Sequence, residues 1–324
     1  MTNGLSKQAN DIRKNDKQNR LLRELVNKAY RQRYLLFMAY LGLAYIIIFY
    51  YVPIYGIVIA FKDFDVTKGF FGGKWIGLDH FREFLSDSYF FLILRNTLAI
   101  NFLRLLVGFP LSITLAILFN EITHNRFRGI VQSVFYVPYF ISWVIMAGFI
   151  TTILNPQSGI LNEILIKIGI VDKGIDFLGN NKWTWTIFVL SDVYKTAGFN
   201  SILFTAAIYA IDPTLYEATY IDGAKKVQQI MHITLPSIMP TIIVLLLLNV
   251  GWMMNSNFDQ IFLLQNSLTL ETTEVIDTYV YKTGLKFGRF DYAAAINLFK
   301  NLLGLSFLVT TNVLVKKIKI KTVI

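Results

Sequence analysis

DPTLYEATYIDGAKKVQQIMHITLPSIMP, Asp212 to Pro240, is a polar, helix-coded island between two long apolar stretches. Asp212 can N-cap a helix, and Pro213 fits its first turn, where a missing N–H costs nothing. Glu217 lies near the positive N-terminal end of that helix. Tyr216 and Tyr220 are four apart and are expected to share one face. Gly223 is where the helix should stop or bend, because glycine takes left-handed dihedrals freely. Beyond it Ala224, Val227, Ile230, Met231 and Thr234 recur at helical spacing, with Lys225, Lys226, Gln228, Gln229 and His232 on the other side. Pro236 and Pro240 then mark the entry to the next apolar segment. These signals alone are met equally by an ordinary linker between two membrane helices.

The composition places the chain in a membrane. Of 324 residues 54% are hydrophobic and 16% charged, with mean hydropathy +0.49, outside the usual soluble balance. There is no cysteine, which excludes a disulfide framework and a thiolate metal site. Six apolar stretches reach the length of about 20 residues that a bilayer demands: 34–61, 90–120, 130–154, 183–211, 237–264 and 292–315. They predict an all-α polytopic protein of six transmembrane helices. Pro53, Pro110 and Pro138 fall within or near the first three, and Asp192 and Lys195 interrupt the fourth.

Charge sets the expected orientation. Residues 1–33 hold nine Lys/Arg against three acids, and 21–33 form a basic amphipathic stretch suited to an anionic leaflet. Arg126 and Arg128, Lys225 and Lys226, and Lys316, Lys317, Lys319 and Lys321 make alternate connections basic. The 62–89 segment instead carries Asp63, Asp65, Asp79, Glu83 and Asp87. By the positive-inside rule both termini and the 212–236 loop are expected on the cytoplasmic side of the cell membrane. The net charge of +10 is therefore a membrane signature, with no nucleic-acid partner expected.

Glu217-Ala218, then Gly223, then Ile233-x-Leu235-Pro236 resembles the EAA loop of permease subunits of ABC importers, with Thr219 in place of the second alanine. Further segments resemble the oligosaccharide-importing branch of those permeases. They are Pro53–Gly56, Ala60–Asp63, Arg95–Thr97, Tyr136–Pro138 with Ile141–Trp143, Gly198–Asn200, Asp277–Tyr281 and Tyr292–Ala295. The resemblance implies a type I (MetI-like) core of five helices over 90–317 that carries the 212–240 loop. A basic tail, 1–33, and one extra helix, 34–62, would precede it. It also implies that the loop is a coupling helix seated on an ATPase, through Tyr216, Glu217, Ala218, Tyr220, Asp222, Gly223, Leu235 and Pro236. The implied partners are a second homologous permease, two ABC ATPase subunits that use ATP and Mg2+, an extracellular solute-binding protein, an oligosaccharide cargo and membrane lipid. The implied motion is alternating access.

Polar groups inside spans point to a pathway. Trp252, Asn255, Asn257, Phe258 and Gln260 bring amides and aromatics together, as a sugar's hydroxyls and C–H face require; Asn200 and Tyr194 are further candidates. The competing role for such amides is to join helices. Asp192 and Asp259 are expected near span ends, in salt bridges or solvent. Ile160, Leu161, Ile164, Leu165 and Ile168 form an apolar stripe expected to pack on the permease's own surface, with docking of a binding protein as the alternative. His80, His124 and His232 are scattered, no GxxxxGK[ST] loop is present, and no nucleophile–base set stands out, so no metal, cofactor or catalytic residue is expected in this chain. Two other classes stay open: a permease for a non-sugar cargo and an ion-coupled secondary transporter.

Overall fold

The computed structural model describes residue 28, residues 30–69 and residues 72–317. The basic tail before residue 28 and Lys319 and Lys321 lie outside them. Helix α1, Arg33–Phe61, is long and apolar enough to cross a membrane, and none of its residues before Ala60 is buried. A π-turn, Ile47–Tyr51, stands just ahead of Pro53. The wider turn makes room for a ring that would otherwise clash with the carbonyl four residues back.

Within Ile59–Ile324, a separate compact unit, the described helices are α2 Asp79–Ser86, α3 Phe90–Glu121, α4 Asn125–Phe140, α5 Trp143–Ile153, α6 Ile160–Lys167, α7 Asn181–Tyr209 and α8 Pro213–Ile221. They continue with α9 Lys226–Gly251, α10 Phe258–Leu264, α11 Leu270–Thr273, α12 Ile276–Tyr281 and α13 Phe290–Lys317. Among the described residues, strand is confined to a two-residue antiparallel pair, β1 Lys62–Asp63 and β2 Lys74–Trp75. Along with α1, helices α3, α9 and α13 meet the length and apolarity of a span; α4 and α5 together make a fifth, bent by 97°. Helix α7, 29 residues long, is long enough but less apolar, since it carries Asp192 and Lys195.

Two expected spans are broken. The third bends between Phe140 and Trp143, where Pro138 occupies the last turn of α4 and Ser142 Oγ caps α5 by accepting from Ile145 N. The buried ammonium of Lys195 closes the bend: it donates to the carbonyls of Pro138 (3.2 Å), Tyr139 (2.6 Å) and Ile141. A lysine that interrupts a span in sequence thus satisfies the orphan carbonyls of a neighbouring helix end. Helix α7 also approaches α4 at Gly198, where a Cβ would lie 2.1 Å from Phe135 O.

The fifth expected span, 237–264, starts earlier and ends earlier. Helix α9 begins at Lys226 and passes through Pro236 and Pro240 behind a π-turn at Ile230–Thr234. It stops at Gly251, so Trp252–Asn257 form an irregular break before α10.

The 62–89 segment is tied to the start of α13. Asp291 accepts from Phe64 N (3.0 Å) and lies 3.2 Å from His80 Nε2. Arg289 grips Glu83 with two bonds of 2.7 Å and holds that carboxyl below the usual glutamate range. Beneath them Phe84, Phe90, Ile93, Met254, Ile276, Tyr292 and Ile296 form one buried cluster.

The apolar stripe of α6 does not pack as expected. Ile160, Ile164 and Ile168 are exposed, and only Leu161 and Leu165 are half-buried. The segment is held instead by buried Asn162, which donates to the carbonyls of Asn155 (2.9 Å) and Ile175 (3.0 Å) and accepts from Ile175 N (2.8 Å). A side-chain amide that replaces a missing backbone ladder orders an irregular segment without an apolar footing.

Candidate functional site

Asp212 caps α8 by accepting from Thr214 N at 3.0 Å, and these bonds to Thr214 lower its pKa. Gly223 ends the helix at φ +76°. Its N–H donates to Tyr220 O (3.1 Å), and Ala224 N donates to Thr219 O (3.0 Å). That is the paired closure of a left-handed helix terminus. No atom lies within 4 Å of a Cβ built on Gly223, so the dihedral alone demands glycine.

Tyr216 and Tyr220 part company. Tyr216 turns inward and shares a 2.9 Å hydrogen bond with Thr234 Oγ1, whereas Tyr220 is 79% exposed. Ile221 beside it is 85% exposed. Leu215, Val227 and Met231 are also exposed, which leaves an apolar tip uncovered. Such a patch marks an interaction surface more often than chance exposure does. Glu217, Ala218, Asp222 and Pro236 are exposed and Leu235 half-buried. No ion pair engages Glu217 among the described residues.

Thr219 is more than a small replacement. Its hydroxyl accepts from the buried Gln229 side chain (3.3 Å) and donates to Tyr216 O (3.0 Å). With Tyr216–Thr234, this bond fastens α8 to the first turns of α9. Lys226 adds an exposed pair with Glu121 at the end of α3, 3.2 Å.

The other end of α9 lines a cavity of about 340 Å³ between α3, α7 and the break after Gly251. Of the residues expected to meet cargo, Trp252, Asn255, Asn257 and Asn200 line it. The other three do not. Tyr194 is exposed away from it, and Phe258 stacks on Phe262 at 5.2 Å. Gln260 is fully buried and donates to Phe188 O (2.8 Å) and Ser191 Oγ (2.7 Å). That is the helix-joining role.

Sequence reading missed the charged pair in the cavity wall. Arg104 of α3 faces Asp192 of α7 at 3.8 Å. Arg104 donates to Asn101 Oδ1 (3.1 Å) and to Gln260 Oε1, and Asp192 accepts from Asn257 Nδ2 (3.2 Å). Asp192 is therefore in a salt bridge, as expected, but twelve residues into a 29-residue helix and not near its end. Asn101 continues the network through Ser256 (3.3 Å) to Asp277 and Lys300. The available signal was Arg104 itself, the deeper of the two arginines of α3, since a charge well inside an apolar run demands a partner.

Comparison with known proteins agrees with this architecture. The chain is 40% identical over 94% of its length, and 94% of the relative's, to the polygalacturonan/rhamnogalacturonan transport system permease protein YteP of Bacillus subtilis (strain 168). It is 37% identical to protein LplB of the same organism, over 89% and 90% of the two chains. The fold matches a chain in the crystal structure of a bacterial ABC transporter involved in import of the acidic polysaccharide alginate, with TM-score 0.83 and 38% identity, covering 91% of this chain and 99% of that one. A second match, TM-score 0.82 and 37% identity over 91% and 98%, is a bacterial alginate ABC transporter in complex with an alginate pentasaccharide-bound periplasmic protein. Residues 108–320 match the family described as binding-protein-dependent transport system inner membrane component. With that match spanning most of the chain, and with relatives aligned nearly end to end, this multi-pass membrane protein belongs to that family of ABC importer permeases.

Proposed function

We propose that this permease carries oligosaccharides across the cell membrane by alternating access, driven through α8 by a separate ATPase. The observation that carries the reading is a continuous mechanical element. Helix α8 is hydrogen-bonded to the start of α9, and α9 runs 26 residues, about 39 Å at the α-helical rise, to the cavity wall. A displacement of the exposed α8 tip therefore moves one side of the cavity as a lever. Rigid-body shifts of this kind are a recurrent way to couple distant sites.

The cargo assignment is supported by what the relatives are named for, and by the cavity's chemistry. Asn200, Asn249, Asn255 and Asn257 supply amides for hydroxyls, and Trp252 supplies an aromatic face. The ATPase partners, which hold ATP and Mg2+, and a second homologous permease complete the reading. The binding-protein partner is supported by the neighbour solved with its periplasmic protein. Arg126, Arg128, Lys225 and Lys226 support a cytoplasmic face for α8, and α7 serves as the remaining crossing of six. Of Asp192 and Asp259, on which an ion-coupled mechanism would rest, the first is engaged by Arg104 and Asn257 and the second is exposed.

The test is movement of a labelled oligosaccharide across proteoliposomes that hold the whole importer, with binding protein on one side and ATP on the other. Transport is expected only when ATP-Mg2+ and binding protein are both present. Movement driven by a proton or sodium gradient without ATP would overturn the reading.

A further inference from the structure

A second cavity, of about 500 Å³, lies between α3 and α7 and shares no lining residue with the first. It follows from the bend in α4. Up to that bend Val131 and Tyr136 pack over the α3–α7 seam, against the cluster of Leu115, Phe119, Val189, Val193 and Ala197. The 97° turn then takes α5 off that line, and the seam beyond it stands open: Leu190 is 58% exposed and Val107 40%.

The groove is graded along its length. Leu103, Val107, Val189 and Leu190 form one end, and Arg95, Lys182 and Glu271 stand at the other. Arg95 to Val107 is twelve residues and Lys182 to Leu190 eight, so the groove runs about 12–18 Å along the helices. That is the depth of one leaflet in a hydrocarbon core of about 30 Å. The charged end is exposed and has donors to spare. Arg95 Nη2 donates to Glu271 O (2.9 Å) and Asn96 Oδ1 (3.2 Å), and Nε donates to Asn96 Oδ1 (3.3 Å), which fixes the guanidinium and leaves Nη1 open. Lys182 Nζ has no partner among the described residues. The Glu271 carboxylate, 3.5 Å from Asn181 Nδ2, offsets one of the two cations, so one positive charge remains.

We infer that this groove is a binding site for an anionic phospholipid, with an acyl chain along Leu103, Val107, Val189 and Leu190 and the phosphate at Arg95 and Lys182. The chain alone selects nothing, since lipid tails are as apolar as leucine. Selection falls to the head, where a phosphate takes charge-assisted bonds from arginine and lysine. The surplus positive charge favours a singly negative head over a zwitterionic one. With α8 cytoplasmic, that head belongs to the outer leaflet.

The test uses the purified whole importer in phosphatidylcholine nanodiscs that carry a trace of phosphatidylglycerol or phosphatidylcholine with a photoreactive acyl chain. Adducts are mapped by mass spectrometry of the peptides covering 103–107 and 186–190. Wild type is expected to be labelled about fivefold more by the phosphatidylglycerol probe, the size of one charge at a lipid surface. Lys182→Glu reverses an exposed charge whose side chain holds nothing in the fold, and is expected to abolish the preference. Glu271→Gln removes the competing carboxylate and is expected to increase it. Equal labelling of wild type by the two probes would mean ordinary surrounding lipid, and a preference that survives in Lys182→Glu would remove the charged end from recognition. Absence of labelling in both segments would mean that another subunit covers the groove. Each of these three results would overturn the inference.

Discussion

Gly223→Pro is expected to reduce ATP-driven uptake at least tenfold while the permease remains inserted and paired in the membrane. Proline fixes φ near −65°, whereas residue 223 sits at +76°. It also deletes the N–H that bonds Tyr220 O. The closure of α8 is lost, and the chain leaves the helix in another direction, so the exposed tip no longer presents itself as a unit. Gly223→Ala separates strain from redirection. A Cβ there meets no atom, so the change costs only the left-handed dihedral, roughly 1–2 kcal/mol, and a partial loss of coupling is expected. Binding-protein-stimulated ATP hydrolysis and uptake, measured on both variants, check the order. Wild-type coupling in Gly223→Pro would show that α8 is only a connection between spans.

Lys195→Met is expected to destabilise the folded permease by about 3 kcal/mol, on the scale of losing a buried charged donor from hydrogen-bonded carbonyls. Methionine matches the length of the stem but donates nothing. The carbonyls of Pro138, Tyr139 and Ile141 then face a dry interior at the bend without a partner, and few waters reach them there. The cation also balances the negative C-terminal end of α4 and lies near the Tyr139 and Trp143 rings, at 5.5 and 5.6 Å. Thermal unfolding of the purified transporter reads the effect as a lowered midpoint and lower yield. An unchanged midpoint would mean that the bend stands on its own packing.

Legibility in the sequence followed the range of the interactions. The cap at Asp212, the stop at Gly223 and the helix between them are set by neighbours a few residues apart, and the structure matches each. Membrane crossing was equally legible, because apolar length is a local sum. The breaks at Phe140–Trp143 and Trp252–Asn257 were not, since hydropathy carries no direction and both lie within stretches whose total apolar length suffices for a span. What fixes the first is Lys195, more than fifty residues away in the chain. The cavity was half legible for the same reason. Asn255, Asn257 and Trp252 stood out as polar or aromatic groups in one stretch, while Arg104 and Asp192 acquire meaning only when α3 and α7 lie side by side. Gln260 shows the limit from the other side: its amide looked available in sequence and is wholly spent on Phe188, Ser191 and Arg104. Tyr216 is similar, since its helical spacing to Tyr220 is correct but its hydroxyl is bonded to Thr234.

The most direct test of coupling through α8 is a photo-crosslinking residue placed at Ile221, which is 85% exposed. In the assembled importer, illumination is expected to join this chain covalently to its ATPase subunit, which also places α8 on the cytoplasmic side. An importer that hydrolyses ATP and transports cargo, yet yields adducts only with lipid or with an external protein, would contradict it.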